Sequence, residues 1–425
     1  MQFDELALHE EIRSYIRPLL LMTGQYPAVA ANPPYLGSRK MNKPLKSYLK
    51  KHYPRADKNL FAVFIELMLD GLVHRGRLGI VTLESWMFLS SFKEFRYHLL
   101  ESYQIQGLVH LGWGILGIEF GTATAIFENA IPDENTSAEY SRLEEKELNP
   151  ETRVPYTFPV KDNDRYAIKA QKDFERLPGA PIAYWVSDRF VEICDHYPAL
   201  GAELDTREGM TTADNSRFLR MWPEVNRERL KLNTSSHAEA KNSHAKWFPY
   251  EKGGSGIRWY GNHTFVVDWE NDGEAIKNNV DPSTGRVKSH NYNGEYAFRE
   301  GIAWTSVSSG DIAVRYSPPG FLFDTNGPKG FVEGEPYFQI ALINSKVSLY
   351  ALKAFSPTMD YKLGHVESIP LKKDEKKDNI DSLSEECISL AKKDWDSRET
   401  SWDFARHPLG LCPYFCVKAL ARWKK

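Results

Sequence analysis

The chain has 425 residues, with 54 lysines and arginines against 57 aspartates and glutamates, for a formal net charge of -3. That length excludes a single small domain, and a near-neutral balance excludes a global cationic field, so any nucleic-acid contact has to come from local patches. Four cysteines, Cys194, Cys387, Cys412 and Cys416, exclude a disulfide framework, and the lack of a long charge-free apolar run excludes a membrane-spanning helix.

Met1 to Arg13 is acidic and amphipathic, unlike a signal peptide, so a reducing cytoplasm is the expected location. Leu6 to Thr23 has helical spacing, and Gly24 is a C-cap before an apolar run, Pro27 to Ala31. The run reads as a buried strand and ends at Asn32-Pro33-Pro34-Tyr35. Two prolines remove two backbone donors and fix φ twice, so the chain leaves the strand stiffly. The Asn32 side-chain oxygen and a neighbouring carbonyl can then accept from one exocyclic amino group, with Tyr35 a flat face for the ring that carries it. Such an arrangement suits an extruded adenine and needs no residue that titrates near neutral pH.

A dense cationic run follows, including Arg39, Lys40, Lys43, Lys46, Lys50 and Lys51, which suits phosphate contact beside the pocket. Leu60 to Val73 reads as a helix ended by Gly76, and Leu78 to Thr82 as a strand. Ser85 to Tyr103 reads as a helix, and Ile105 to Leu111 and Gly121 to Phe127 as further strands. The alternation argues for a mainly parallel α/β sheet with its ligand crevice at the carboxyl ends of the strands. Residues 131–181 turn polar and read as a connector. From 182 to 371, short aromatic and apolar runs between Gly, Asn, Asp and Pro read as a mixed α/β second domain, and 372–425 as a mostly helical segment. Lys246-Trp247 and Arg258-Trp259 interleave cations with aromatics, as a nucleic-acid surface does. Cys412 and Cys416 lie one helical turn apart with only His407 nearby, so free thiols rather than a metal site are expected.

Asn32-Pro-Pro-Tyr35, Gly76-Arg-Leu-Gly-Ile-Val-Thr82, Ser85 to Phe92, Val109-His-Leu-Gly112, Gly209 to Trp222, Trp247 to Asn262 and Asp394 to Phe404 resemble successive motifs of adenine-N6 DNA methyltransferases. The resemblance is to the PglX family of BREX bacteriophage-defence systems and covers nearly the whole chain. It implies a partial Rossmann-like methyltransferase sheet in residues 1–130, a DNA target-recognition domain in 182–371, and transfer of a methyl group from S-adenosylmethionine to a flipped adenine. Carried over, Asn32 and Pro33 accept from the target amino group, Pro34 stiffens the loop, Tyr35 stacks on the base and Phe127 is the second stacking aromatic. Lys40, Lys43, Arg217, Arg220, Lys246 and Arg258 are the candidates for double-stranded DNA.

In that family the glycine-rich cofactor loop lies upstream of Asn-Pro-Pro-Tyr, whereas here the residues ahead of Asn32 hold one glycine, Gly24. A truncated product, a split enzyme with its cofactor half on a separate chain, and a non-catalytic DNA-binding or assembly subunit each fit. A protein glutamine amide is an alternative substrate for the same chemistry, although it would not need so large a recognition module.

Overall fold

The computed structural model describes residues 5–112, 120–152, 154–157, 161, 164–357, 360–372 and 376–407. Contacts divide the chain into two units, Met1–Asp195 and His196–Lys425. Cys412 and Cys416 lie outside the described residues.

In the first unit, α1 (Glu5–Thr23) leads into β1 (Tyr26–Ala31), and α2 (Lys43–His52) and α3 (Leu60–Asp70) carry the chain over to β2 (Leu72–Leu83). Then come α4 (Lys93–Ser102), β3 (Gln104–Gly112), β4 (Thr122–Glu128), β5 (Ser137–Arg142) and β6 (Tyr166–Ala170). The six strands form one sheet in the order β1-β2-β4-β3-β5-β6. It is mixed rather than mainly parallel: β1 with β2 and β3 with β5 are parallel, while β4 runs antiparallel to both its neighbours, as β6 does to β5. The link from Gly112 to Thr122 is shorter than the dozen or so residues a parallel crossover needs, so β4 has to turn back and insert between β2 and β3.

Alternation sets which side of the sheet is covered. Leu78 and Ile80 of β2, Ile105 and Leu108 of β3 and Phe127 of β4 join Phe61, Ile65 and Leu69 of α3 and Leu99 of α4 in one buried cluster. Gly76 does not end a helix, as its position suggests, but bends β2. Arg75 takes φ +60°, and a side chain at Gly76 would meet the carbonyl oxygens of Tyr26 and Val73 at 2.9 Å, where the register between β1 and β2 shifts. The expected helix Ser85 to Tyr103 is regular only in α4. Trp86, Met87, Phe88 and Phe92 are all buried, which one helix face cannot achieve, and two short 3-10 turns bring them inward. Arg96, itself buried, donates to the carbonyls of Trp86 at 2.9 Å, Leu89 at 2.7 Å and Gly179 at 2.7 Å; burial pushes its guanidinium down to about 10.

The stretch 131–181 is not a connector. It contributes β5 and β6, whose inward residues are Ala138 and Tyr140, while its charges are drawn into pairs such as Arg165 with Glu144 at 3.0 Å. At the other edge β1 has β2 as its single neighbour among the described residues, and Leu19, Leu20 and Leu21 of α1 are each more than half exposed.

The second unit is mixed α/β, as expected. Strands Leu322–Phe323, Trp247–Glu251, Phe265–Asp268 and Leu219–Met221 form one four-stranded sheet in that order. Strands Arg315–Ser317, Gly301–Ala303, Lys329–Phe331 and Asp205–Arg207 form another. Helix Lys377–Asp396 is not a separate segment, because Ile388 and Trp395 enter the core of this unit beside Ile340 and Phe338. No helix among the described residues is long and apolar enough to cross a membrane.

Candidate active site

β1 delivers Asn32 to the carboxyl end of the sheet. Pro33 is buried, Asn32 and Pro34 are exposed, and Tyr35 is half-buried with its ring edge-on to Phe61 at 6.4 Å. The Tyr35 hydroxyl donates to Asn32 Oδ1 at 3.2 Å. Backbone bonds pin the loop beyond: Leu60 N donates to Leu36 O at 3.0 Å and Ser38 N to Lys58 O at 2.9 Å. Burial raises the Tyr35 hydroxyl above its ordinary value, so it stays protonated, and a donor, at neutral pH. The Val81 carbonyl lies 3.5 Å from the same hydroxyl, and with one lone pair of Asn32 Oδ1 engaged by Tyr35 the other is left to accept.

The same end of the sheet carries residues that sequence reasoning passed over. Thr122, first in β4, pairs with Leu83, last in β2, so the chain enters β4 at the end of the sheet where β1 also ends, two residues after Phe120. Phe120 stands there, 60% exposed. Glu84 N donates to Gly121 O at 3.0 Å, and a side chain at Gly121 would fall 2.1 Å from the Glu84 carboxylate and displace it. The Glu84 carboxylate is bound to Nε2 of His110, whose ring is buried and whose Nδ1 is 3.5 Å from the Tyr184 hydroxyl. An aromatic residue two positions ahead of a strand was the one available signal, and periodicity gives it no weight.

Phe127 is not brought to this site. It is 0% exposed, packed at 5.9 Å against Trp86, and paired with Leu78 toward the far end of β4. The cause is the direction of β4: in a parallel sheet its last residues would lie beside Asn32, and in the antiparallel arrangement its first residues do.

Lys40 lies in a 3-10 turn, Ser38–Lys40, and Lys43 opens α2, whose start is capped by Asn42 accepting from Leu45 N at 3.0 Å. Lys40, Lys43, Lys46, Lys50 and Lys51 are exposed and have no ion-pair partner among the described residues. In the second unit Arg220 and Lys246 lie over the Trp247 ring at 5.8 and 5.5 Å, and Arg217 lines one cavity with Lys246. These three cations gather at one aromatic surface, whose cavity also holds Asp268, Glu270 and Glu274. Arg258 is exposed but elsewhere, beside the bridge between Trp259 and Arg315.

S-adenosylmethionine, the cofactor that the resemblance implies, calls for a glycine-rich strand-to-helix turn. The described residues ahead of β1 form α1 and offer no such turn, so they do not fit that role. Among the described residues no cluster of His, Cys, Asp or Glu suits a metal ion.

Residues 3–114 match the model of the Eco57I restriction-modification methylase family. The chain is 38% identical, over 96% of its length, to the adenine-specific methyltransferase PglX of Lacticaseibacillus casei (strain Zhang), of which it covers 34%. It is 32% identical, over 94% of its length, to the adenine-specific methyltransferase BrxX of Escherichia coli O9:H4 (strain HS), of which it covers 32%. It thus spans about a third of the length of these curated relatives. In fold it is similar to the type IIL restriction-modification enzyme MmeI, solved in complex with DNA, with a TM-score of 0.56 at 12% identity over 89% of this chain and 50% of that one.

Proposed function

Because the chain belongs to the PglX family of adenine-specific methyltransferases, we propose that its first unit holds a flipped adenine of DNA for N6 methylation in phage defence, and that its second unit reads the surrounding duplex. The observation that carries this reading is the Asn32 to Tyr35 loop, stiffened by two prolines at the sheet end with Asn32 Oδ1 fixed by the Tyr35 hydroxyl at 3.2 Å.

Asn32 Oδ1 and the Pro33 carbonyl accept from the two N6 hydrogens, so the nitrogen lone pair is directed away from the ring plane. Positioning of this kind supplies the rate, since no base strong enough to deprotonate the amino group is needed. Tyr35 packs on one face of the base, and Phe120, not Phe127, covers it from the β4 side. The cations of α2 hold the phosphates that flank the extruded nucleotide.

The family implies S-adenosylmethionine, which when bound supplies an electrophilic methyl group. The open edge of β1 and the bare apolar face of α1 suit further strands of a cofactor-holding half, in the same polypeptide or a separate one. Calorimetry with S-adenosylmethionine, with and without an adenine-containing duplex, tests the reading. Cofactor binding together with methyl transfer that Asn32→Ala abolishes, at unchanged DNA affinity, supports it; transfer that survives Asn32→Ala contradicts it. A second reading, a DNA-binding or assembly subunit, predicts DNA binding with no cofactor binding.

A further inference from the structure

We infer that Asn271 reads a base edge and specifies an adenine in the DNA sequence that the second unit recognises, a claim that rests on the proposed reading of that unit. Helix Glu270–Lys277 opens with Asn271 (φ 52°, ψ 43°), Asp272 (φ 60°, ψ 40°) and Gly273 (φ 74°, ψ 26°) in succession in the left-handed region. Two consecutive non-glycine residues there are costly unless the surroundings impose the turn. The surroundings do impose it. Asp272 accepts from His237 Nδ1 at 2.6 Å, Lys277 Nζ at 2.7 Å and Trp269 Nε1 at 3.2 Å. Trp269 is fully buried, and any side chain at Gly273 would come within 2.5 Å of its ring.

The turn holds the Asn271 side chain in solvent, with a long 3.4 Å contact to Glu274 as its hydrogen bond. It lines a cavity of about 530 Å³ together with Arg217, Lys246, Asp268, Glu270 and Glu274. The mixture decides what the cavity suits. A surface that tracks phosphates carries cations alone, as α2 does, because carboxylates repel the backbone. Base edges instead present donors and acceptors side by side: carboxylates take the cytosine amino group, arginine and lysine take guanine, and an asparagine amide matches the adenine N6 and N7 pair. An exposed amide on a turn that Asp272 holds, among groups of both signs, has the make-up of a base reader.

The full chain is incubated with a duplex library of randomised sequence, and the retained duplexes are sequenced for the wild type, Asn271→Gly and Asn271→Asp. Glycine accepts a φ of 52° freely, so Asn271→Gly removes the amide and keeps the turn. The wild type is expected to enrich a motif containing adenine. Asn271→Gly should lose adenine at one position, binding the enriched duplex roughly tenfold more weakly while binding an unrelated duplex unchanged. Asn271→Asp, which only accepts, should move the preference at that position away from adenine. An identical motif for all three proteins, or retention by the wild type with no enrichment, overturns the inference and leaves DNA binding standing. No retention by the wild type overturns it together with the DNA-reading role of the unit.

Discussion

The two candidate sites are built in opposite ways. The Asn32 to Tyr35 loop is fixed by backbone, through two prolines and the bonds from Leu60 N and Ser38 N. The cation–aromatic face of the second unit is fixed by side chains, with Lys246 on Asp268 at 3.2 Å and Asp272 under three donors, and in the core of the same unit Arg315 pairs at 3.2 Å with Glu251, both 0% exposed. A backbone-fixed loop holds no charge that pH or salt can remove, whereas a side-chain network does. The placement of the reacting nitrogen should therefore be insensitive to conditions under which recognition fails.

Breaking the buried pair is the most severe way to separate the two sites. Glu251→Ala leaves Arg315 charged in the core with Nε and Nη1 already unpartnered, and should cost about 3–5 kcal/mol. Denaturant unfolding followed by tryptophan fluorescence should show the transition of the second unit shifted and that of the first unchanged; a loss below about 1 kcal/mol contradicts the account.

The two phenylalanines of the β4 region give a comparable contrast within the first unit. Phe127→Ala opens a core cavity and should cost about 3–5 kcal/mol. Phe120→Ala should leave stability within about 0.5 kcal/mol while weakening capture of the base. The same unfolding assay, paired with fluorescence of 2-aminopurine at the target position, separates them, and equal destabilisation by both variants would refute the assignment.

The second unit should show a pH dependence of stability at both ends of the scale. Burial pushes the Glu251 carboxyl up, but Arg315 and His263 outweigh it and hold it at about 2, so its contribution is complete above the ordinary value of 4.5 and is lost as pH falls from there toward 2. Burial lowers Lys329 from 10.5 to about 8. Between those values the unfolded chain binds a proton that the native one does not, so stability should rise with pH across that interval. Lys329→Met should flatten that alkaline limb in denaturation midpoints measured against pH.

The mildest test concerns α2. Changing Lys43, Lys46 and Lys50 to Gln should weaken DNA binding alike for every sequence and reduce the slope of log affinity against log salt by about one for each phosphate that is no longer neutralised. A change in preferred sequence instead would move base reading to the first unit.

Much of the first unit was legible in the sequence because its signals are local. The apolar run into Asn32-Pro33-Pro34-Tyr35, the helix Leu60 to Asp70 and the strand at Leu78 each declare themselves within a dozen residues. Strand direction does not: β4 reads the same either way, and only the shortness of the link after Gly112 tells that it returns. Phe127, carried over from the resemblance as the second stacking aromatic at the end of this strand, would stand beside Asn32 only if β4 ran parallel. β5 was hidden because an edge-side strand with polar outward residues resembles a loop, and Ala138 and Tyr140 are too few to show alternation. In the second unit Arg217, Arg220 and Lys246 were legible as cations near aromatics. The Asn271 turn was not, since its conformation depends on Asp272 meeting His237 from a distant part of the chain.

The most direct measurement replaces each adenine of an enriched duplex in turn by 2-aminopurine and follows its fluorescence on binding of the chain. The account predicts a rise at one position, lost in Tyr35→Ala and Phe120→Ala and kept in Phe127→Leu, because the base is unstacked from DNA and held at the Asn32 end of the sheet. No rise at any position, or a rise that persists when Tyr35 and Phe120 are both replaced by alanine, would contradict it.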